Sequence, residues 1–147
     1  MGLPYSEAQS GKKAIEEMKK ILENFGAARF GVMEDFQSGT VTVQFVWRER
    51  QVTIEASAKG YAAAWLRENP WNHRRRTSKA DHNQLAIKKG NIAVYSILRD
   101  WIKGQITAVE VGMLSFEGAF LGQILLPNGK TMLQQVESNN ILPKIEN

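Results

Sequence analysis

Residues 40–56 decide the fold: Thr40-Val-Thr-Val-Gln-Phe-Val-Trp47, a polar Arg48-Glu-Arg50, then Gln51-Val-Thr-Ile-Glu-Ala56. Val41, Val43, Phe45 and Trp47 fall on one face while Thr40, Thr42 and Gln44 fall on the other, the two-residue period of a half-buried strand. Val52, Ile54 and Ala56 alternate in the same way with Gln51, Thr53 and Glu55. Two such runs joined by a short polar turn predict an antiparallel hairpin with one wet face, whose apolar face needs helices to cover it. Just upstream, Arg29 to Glu34 alternates more weakly, with Phe30 and Val32 on one side, and Asp35-Phe-Gln-Ser-Gly39 has turn composition. A first strand therefore joins the hairpin.

The covering helices lie on both sides of this stretch. Ala14, Ile15, Met18, Ile21, Leu22 and Phe25 recur every three to four residues, predicting a helix capped at its start by Ser6 or Ser10 and stopped at Gly26. Downstream, the alanine-rich Ala58 to Glu68, with Tyr61, Trp65 and Leu66, predicts a short helix that Pro70 ends. The stretch from Trp71 to Ala80 has no apolar period and reads as a loop. A long helix is then expected from about Asp81 to Gly112, with Leu85, Ile92, Tyr95, Ile102, Ile106, Val109 and Met113 in its apolar stripe and Val94, Leu98 and Trp101 widening it. Its length suits either the spine of the fold or a dimer seam. Ser115 to Leu121 reads as a short capped helix, Gln123 to Leu126 as extended, and Pro127-Asn-Gly-Lys130 as a turn. Thr131 and Gln134 have the spacing of a capping box for a last helix to about Ser138.

These elements make an α+β protein: a roughly three-stranded antiparallel sheet packed by an N-terminal helix and a long C-terminal helix. At 147 residues, 43% apolar and 23% charged, the chain suits one domain over residues 1–147, with a basic loop at about 69–80 and a frayed tail at 139–147. With no cysteine there is no disulfide framework, thiolate zinc site or cysteine nucleophile. The start has no signal-peptide pattern and no apolar run reaches membrane-spanning length, so a cytoplasmic protein without a membrane partner is expected.

The net charge of +4 is unevenly spread. Between Arg67 and Lys89 stand seven basic residues against two acids, Glu68 and Asp81, while the remainder carries twelve basic and thirteen acidic residues. All of the excess is thus in one segment, the pattern of a local electrostatic footprint. Arg67, Trp71, His73, Arg74, Arg75, Arg76, Lys79, Lys88 and Lys89 are the candidate nucleic-acid-binding residues: the cations neutralise phosphates, and Trp71, with Trp65 nearby, offers a face on which an unpaired base can stack. The plainer alternative has Trp65 and Trp71 capping the core beside a solvated arginine loop.

Catalysis finds little support. His73 and the pair His82-Asn83 superficially resemble parts of a small metal-dependent nuclease, but no further histidine completes such a site. Glu34, Asp35, Glu49 and Glu55 sit in or beside strands and turns, where solvated carboxylates are the ordinary reading. No phosphate-cradling glycine loop, Ser-His-Asp set or dinucleotide fingerprint is present. The expectation is a non-enzyme without metal or cofactor.

The second half also carries a resemblance. His73-Arg-Arg-Arg-Thr77, Ile102-Lys103 leading into Ala108-Val-Glu-Val-Gly112, Ser115-Phe-Glu117, Phe120-Leu121 and Leu126-Pro-Asn-Gly-Lys-Thr131 resemble a group of small phage and prophage proteins of uncharacterised function. The resemblance covers about half of the chain and departs from the group's pattern at Gly118 and Gly122, where bulkier or more helix-favouring residues are expected. It implies a phage or mobile-element origin, hence the cytoplasm of a bacterial host, and no activity to carry over. With the basic segment, the expectation is a non-catalytic phage accessory protein that binds nucleic acid, DNA or RNA, non-specifically through the basic loop; the alternatives are a phage protein that binds and inhibits or modulates a host protein such as a defence enzyme, and a homo-oligomeric structural protein assembled through the long helix.

Overall fold

A computed structural model describes residues 2–145, so Glu146 and Asn147 of the expected tail lie outside the described residues. The chain runs α1 (Gly11–Phe25), β1 (Arg29–Asp35), β2 (Thr40–Trp47), β3 (Arg50–Ser57), α2 (Ala58–Glu68), α3 (Lys79–Glu110), α4 (Phe116–Phe120), a 3₁₀ turn at Leu121–Gln123, and α5 (Met132–Ser138). The expected α+β architecture is present. The strands form one antiparallel sheet in the order β1-β2-β3, with Phe30 opposite Phe45, and Phe45 in turn opposite Val52.

Local chemistry accounts for the element ends. Ser10, not Ser6, caps α1, its Oγ accepting from the Lys13 amide at 3.1 Å. Gly26 ends the helix at φ 103°, a left-handed conformation that costs glycine little. The β2–β3 turn is tighter than the sequence suggests: Arg48 and Glu49 alone make it, both at positive φ, while Arg50 already belongs to β3. At the far end, Thr131 and Gln134 form the expected capping box of α5. Residues 141–145 of the tail are exposed and belong to no helix or strand.

The core lies between the sheet and the helices. Val41, Val43 and Phe45 from β2 and Val52 from β3 pack with Ala14, Met18 and Leu22 of α1 and with Tyr95, Leu98, Ile102 and Ile106 of α3. Each buried Val, Leu, Ile, Phe or Met among them contributes roughly 1.5–3 kcal/mol. Phe116 and Phe120 of α4 close one end. Trp47 lies 4.6 Å from Phe116, and Phe45 meets Phe120 edge-on at 5.4 Å between ring centroids. Ile124 bridges to Val52 beyond β3, so the C-terminal segment covers part of that edge.

α3, about 48 Å long at 1.5 Å per residue, is the spine, and it serves two partners in succession. Its first half packs on α2 through His82, Ala86 and Gly90; its second half packs on α1 and the sheet. Leu85 of the expected stripe falls outside the core as a result, 42% exposed, and Met113, 74% exposed, lies beyond the helix, which ends at Glu110 rather than at the expected Gly112. Ile102 and Ile106 of the same stripe are buried within the chain.

Candidate nucleic-acid interface

The basic loop connects two tightly packed helices. α2 is capped by Ser57 and α3 by Ser78, whose Oγ accepts from the Asp81 amide at 3.1 Å. Small residues bring the helices close: a Cβ on Gly90 would stand 2.5 Å from the Ala58 carbonyl oxygen. Near the loop, Trp65 and Ala62 of α2 form a small second core with Ala86. His82 is 2% exposed, its ring centroid 5.1 Å from that of Trp65. Its Nε2–H donates to the Asn69 carbonyl at 2.6 Å, which ties the end of α2 to the start of α3. His82 is therefore a structural strut, and the nuclease-like pair with Asn83 has no surface for its histidine.

Residues 69–78 form a loop closed by its own hydrogen bonds. The Trp71 indole Nε1–H donates to the Thr77 carbonyl at 2.8 Å across the loop. Asn72 accepts from the Arg74 amide through Oδ1 at 2.9 Å and from the Arg75 amide through its carbonyl at 3.1 Å, an Asx-type turn. Arg75 Nε–H donates back to the Pro70 carbonyl at 3.2 Å. The His73 ring stands edge-on to Trp71 at 4.9 Å. Trp71 is half-buried and belongs to neither hydrophobic cluster; its place is in the loop, which it closes. Trp65, in contrast, is buried between the helices.

Arg74, Arg75 and Arg76 are all exposed on this loop, and Arg67 is exposed in the last turn of α2. Lys79 was expected in the loop, but α3 begins there, two residues before the expected Asp81, because Ser78 supplies the cap. Lys88 and Lys89 stand further along α3, about 14 and 15 Å beyond Lys79 at helical rise. Lys88 is exposed, while Lys89 Nζ donates to the Ser6 carbonyl at 3.1 Å, toward the N-terminal segment. The structure thus gathers Arg67, Trp71, His73, Arg74, Arg75, Arg76 and Lys79 at one end of the helix pair and sets Lys88 and Lys89 apart.

Among the described residues the charges of this end have no acidic partners. The ion pairs among the described residues are Arg50 with Glu117, and Arg99 with Glu17 and Asp100, and none involves Arg67, Arg74, Arg75, Arg76, Lys79, Lys88 or Lys89. Lys79 sits in the first turn of α3, where the helix dipole is already positive and a cation costs about 0.3–1 kcal/mol. Asp81 is the one acid in that turn.

Other polar groups are absorbed by the fold. Among the described residues no group of three or more His, Asp or Glu side chains is arranged to hold a metal ion. The Tyr95 hydroxyl donates to Glu34, and burial, reinforced by that carboxylate, pushes its pKa well above the ordinary phenol value. Sequence reasoning missed this strut between α3 and β1, because nothing in the spacing of two residues 61 apart announces it. A surface cleft of about 780 Å³ lies under the N-terminal segment, bordered by Tyr5, Ser10, Lys13 and Arg99. Its guanidinium is occupied by Glu17 and Asp100 at 3.5 and 3.0 Å. No helix among the described residues is long and apolar enough to cross a membrane. No protein-family model, curated protein or solved structure matches the chain.

Proposed function

We propose that this is a phage-derived accessory protein that binds nucleic acid without sequence specificity, and without catalysis, through the loop after α2 and the first turn of α3. The observation that carries the reading is the set of cations there, three successive exposed arginines and Lys79, with no acid among the described residues paired to any of them. Elsewhere Arg99 shows how this chain neutralises a cation it keeps for stability, with two carboxylates within 3.5 Å. Unpaired charge concentrated at a positive helix end opposes folding and favours an anionic partner. Phosphates supply that partner, and guanidinium groups bind them in a fork geometry. Arg75 spends Nε on Pro70, which leaves its outer nitrogens for a phosphate. Trp71 and His73, packed together beside the arginines, provide the aromatic element for a single-stranded base. No base-reading constellation accompanies them, so affinity should follow charge rather than sequence.

The test is fluorescence anisotropy of labelled single- and double-stranded DNA and RNA over a range of salt, with the R74A/R75A/R76A variant alongside. Each phosphate neutralised contributes about 0.9 to the log–log salt slope for duplex and about 0.7 for single strands. Three lost arginines should therefore flatten the slope by about 2–3 and weaken binding to every sequence alike. An unchanged slope, or no binding at low salt, refutes the proposal.

A further inference from the structure

Strand β1 is the open edge of the sheet. The strand order ends at β1, and among the described residues no strand or bridge lies on its outer side, whereas Ile124 covers part of β3. Such an edge presents a row of unpaired backbone donors and acceptors, which proteins commonly blunt with charged side chains, lysine above all, with proline or with a bulge; the charges of β1 are Arg29, Glu34 and Asp35, of which Glu34 is held by Tyr95 and the other two are of opposite sign. β1, Arg29-Phe-Gly-Val-Met-Glu-Asp35, contains neither lysine nor proline and pairs with β2 without a break in register. Beside it, Met33 is 71% and Phe36 87% exposed.

We propose that β1 pairs antiparallel with β1 of a second copy of this chain, Val32 facing Val32, to make a continuous six-stranded sheet. In that register Arg29 of each copy lies opposite Asp35 of the other, giving two opposite-charge pairs on the wet face. Gly31 lies opposite Met33, and a Cβ on Gly31 would meet nothing within 4 Å, so the exposed methionine of one copy has open space across the glycine of the other. On the core face Val32 meets Val32, and Phe30 lies opposite Glu34, whose carboxylate is held by Tyr95 of its own chain. Among the described residues Arg29 has no ion pair, and Asp35 uses only Oδ1 to hold the Gln37 and Ser38 amides, leaving Oδ2 for a partner. Lys59, beside the same turn, gives its Nζ to the Gln37 carbonyl.

Neighbouring registers lose these features. A shift of two residues sets Arg29 against Met33, or Gly31 against Asp35 and Val32 against Glu34. A shift of one turns the two cores to opposite faces of the sheet. Self-pairing is thus favoured in one register by charge and by shape together, and it leaves both basic loops outside the contact strand. The inference is independent of what those loops bind.

The contact is a single strand pair, below the size of a standard interface, so association should be weak, becoming visible by sedimentation equilibrium as the concentration is raised to about 0.3 mM. The wild-type chain should pass from monomer toward twice its mass over that range. R29D sets like charges opposite each other twice and should raise the dissociation constant on the order of ten-fold. D35K does the same, and an equimolar mixture of R29D and D35K restores both pairs and should dimerise as the wild type does. D35K also removes a turn acceptor and can fail to fold, so a second measurement avoids it. Because the chain has no cysteine, G31C and M33C can be mixed and oxidised, and a disulfide-linked dimer should form rapidly in the mixture and slowly in either variant alone. A wild-type chain that stays monomeric throughout, an R29D variant that dimerises unchanged, or cross-linking no faster in the mixture overturns the proposal.

Discussion

Replacing Gly90 with alanine should destabilise the protein, although the same replacement in an open helical position does the reverse. Gly90 lies in α3 where α2 crosses it, and an added Cβ would stand 2.5 Å from the Ala58 carbonyl oxygen and 3.2 Å from the Ala62 amide nitrogen. Ordinary contact between such atoms is about 3.5 Å, so the helices must separate by about 1 Å or the backbone must bend. Both contacting atoms are backbone, which cannot swing aside, and forced overpacking of this kind costs about 1–3 kcal/mol. Against it stands the helix-propensity gain of alanine over glycine, about 1 kcal/mol. Gly104 supplies the control: it lies in the same helix, and a Cβ there meets nothing within 4 Å. Gly104→Ala should therefore stabilise by about 0.5–1 kcal/mol. The propensity gain is common to both variants and cancels between them, so their difference isolates the packing cost, about 2 kcal/mol. In a domain of this size that difference separates the two melting temperatures by about 4–8 °C. Urea denaturation with an unchanged m-value is the assay, because it assigns the shift to stability rather than to a change in the unfolded chain. A Gly90→Ala variant as stable as Gly104→Ala would refute the close approach of α2 and α3.

Trp71→Phe keeps an aromatic ring but removes the donor to Thr77, a hydrogen bond with a net value of about 0.5–1.5 kcal/mol. Tryptic cleavage after Arg74, Arg75 and Arg76 should accelerate about five-fold under native conditions with little change in global stability; cleavage at the wild-type rate would show that Trp71 does not close the loop. Asp100 is held below its ordinary pKa of 3.8 by the Tyr5 hydroxyl first and by Arg99 second. A carboxylate depressed in the folded state contributes stability above its unfolded pKa and loses it as pH falls through the folded value. The wild-type advantage over Asp100→Asn should therefore be full at pH 6 and shrink below about pH 4; an advantage of equal size at pH 6 and pH 3 would remove Asp100 from the acid response.

How far the fold is legible in the sequence follows from which forces leave a periodic trace. The β2–β3 alternation is a pattern of burial, so the spacing of Val41, Val43, Phe45 and Val52 by itself assigns them to the core. The α2–α3 contact leaves no such trace. It is made by Ala58, Ala62, Ala86 and Gly90, which matter for being small, and hydrophobic periodicity does not register smallness. For the same reason the long stripe of α3 overreaches at Leu85, while Met113 falls past the end of the helix at Glu110. A helix of 32 residues that turns from one partner to another has two buried faces, and a single stripe averages them. The early start of α3 is legible, however: Ser78-Lys-Ala-Asp81 has capping spacing, and that signal relocates Lys79 from the loop to a helix end.

The candidate interface divides along the same line. Net charge is a sum over residues, so the concentration of positive charge between Arg67 and Lys89 can be counted from composition. Whether a charge is spent depends on pairing, and pairing is a property of three dimensions. Arg99 and Arg76 are the same residue in a sequence count. In the fold, Arg99 lies between Glu17 and Asp100, while Arg76 stands on a loop with no acid among the described residues paired to it. His82, Lys89 and Tyr95 carry the argument further, each having its polar atom taken up inside the chain by Asn69, Ser6 and Glu34. Arg74, Arg75, Arg76 and Lys79 are gathered without an ion pair among the described residues beside the positive end of the longest helix, and that concentration of like charge bears a stability cost there. Nucleic-acid phosphates would remove that cost on binding, which is why the salt slope of the triple arginine variant bears directly on the proposal.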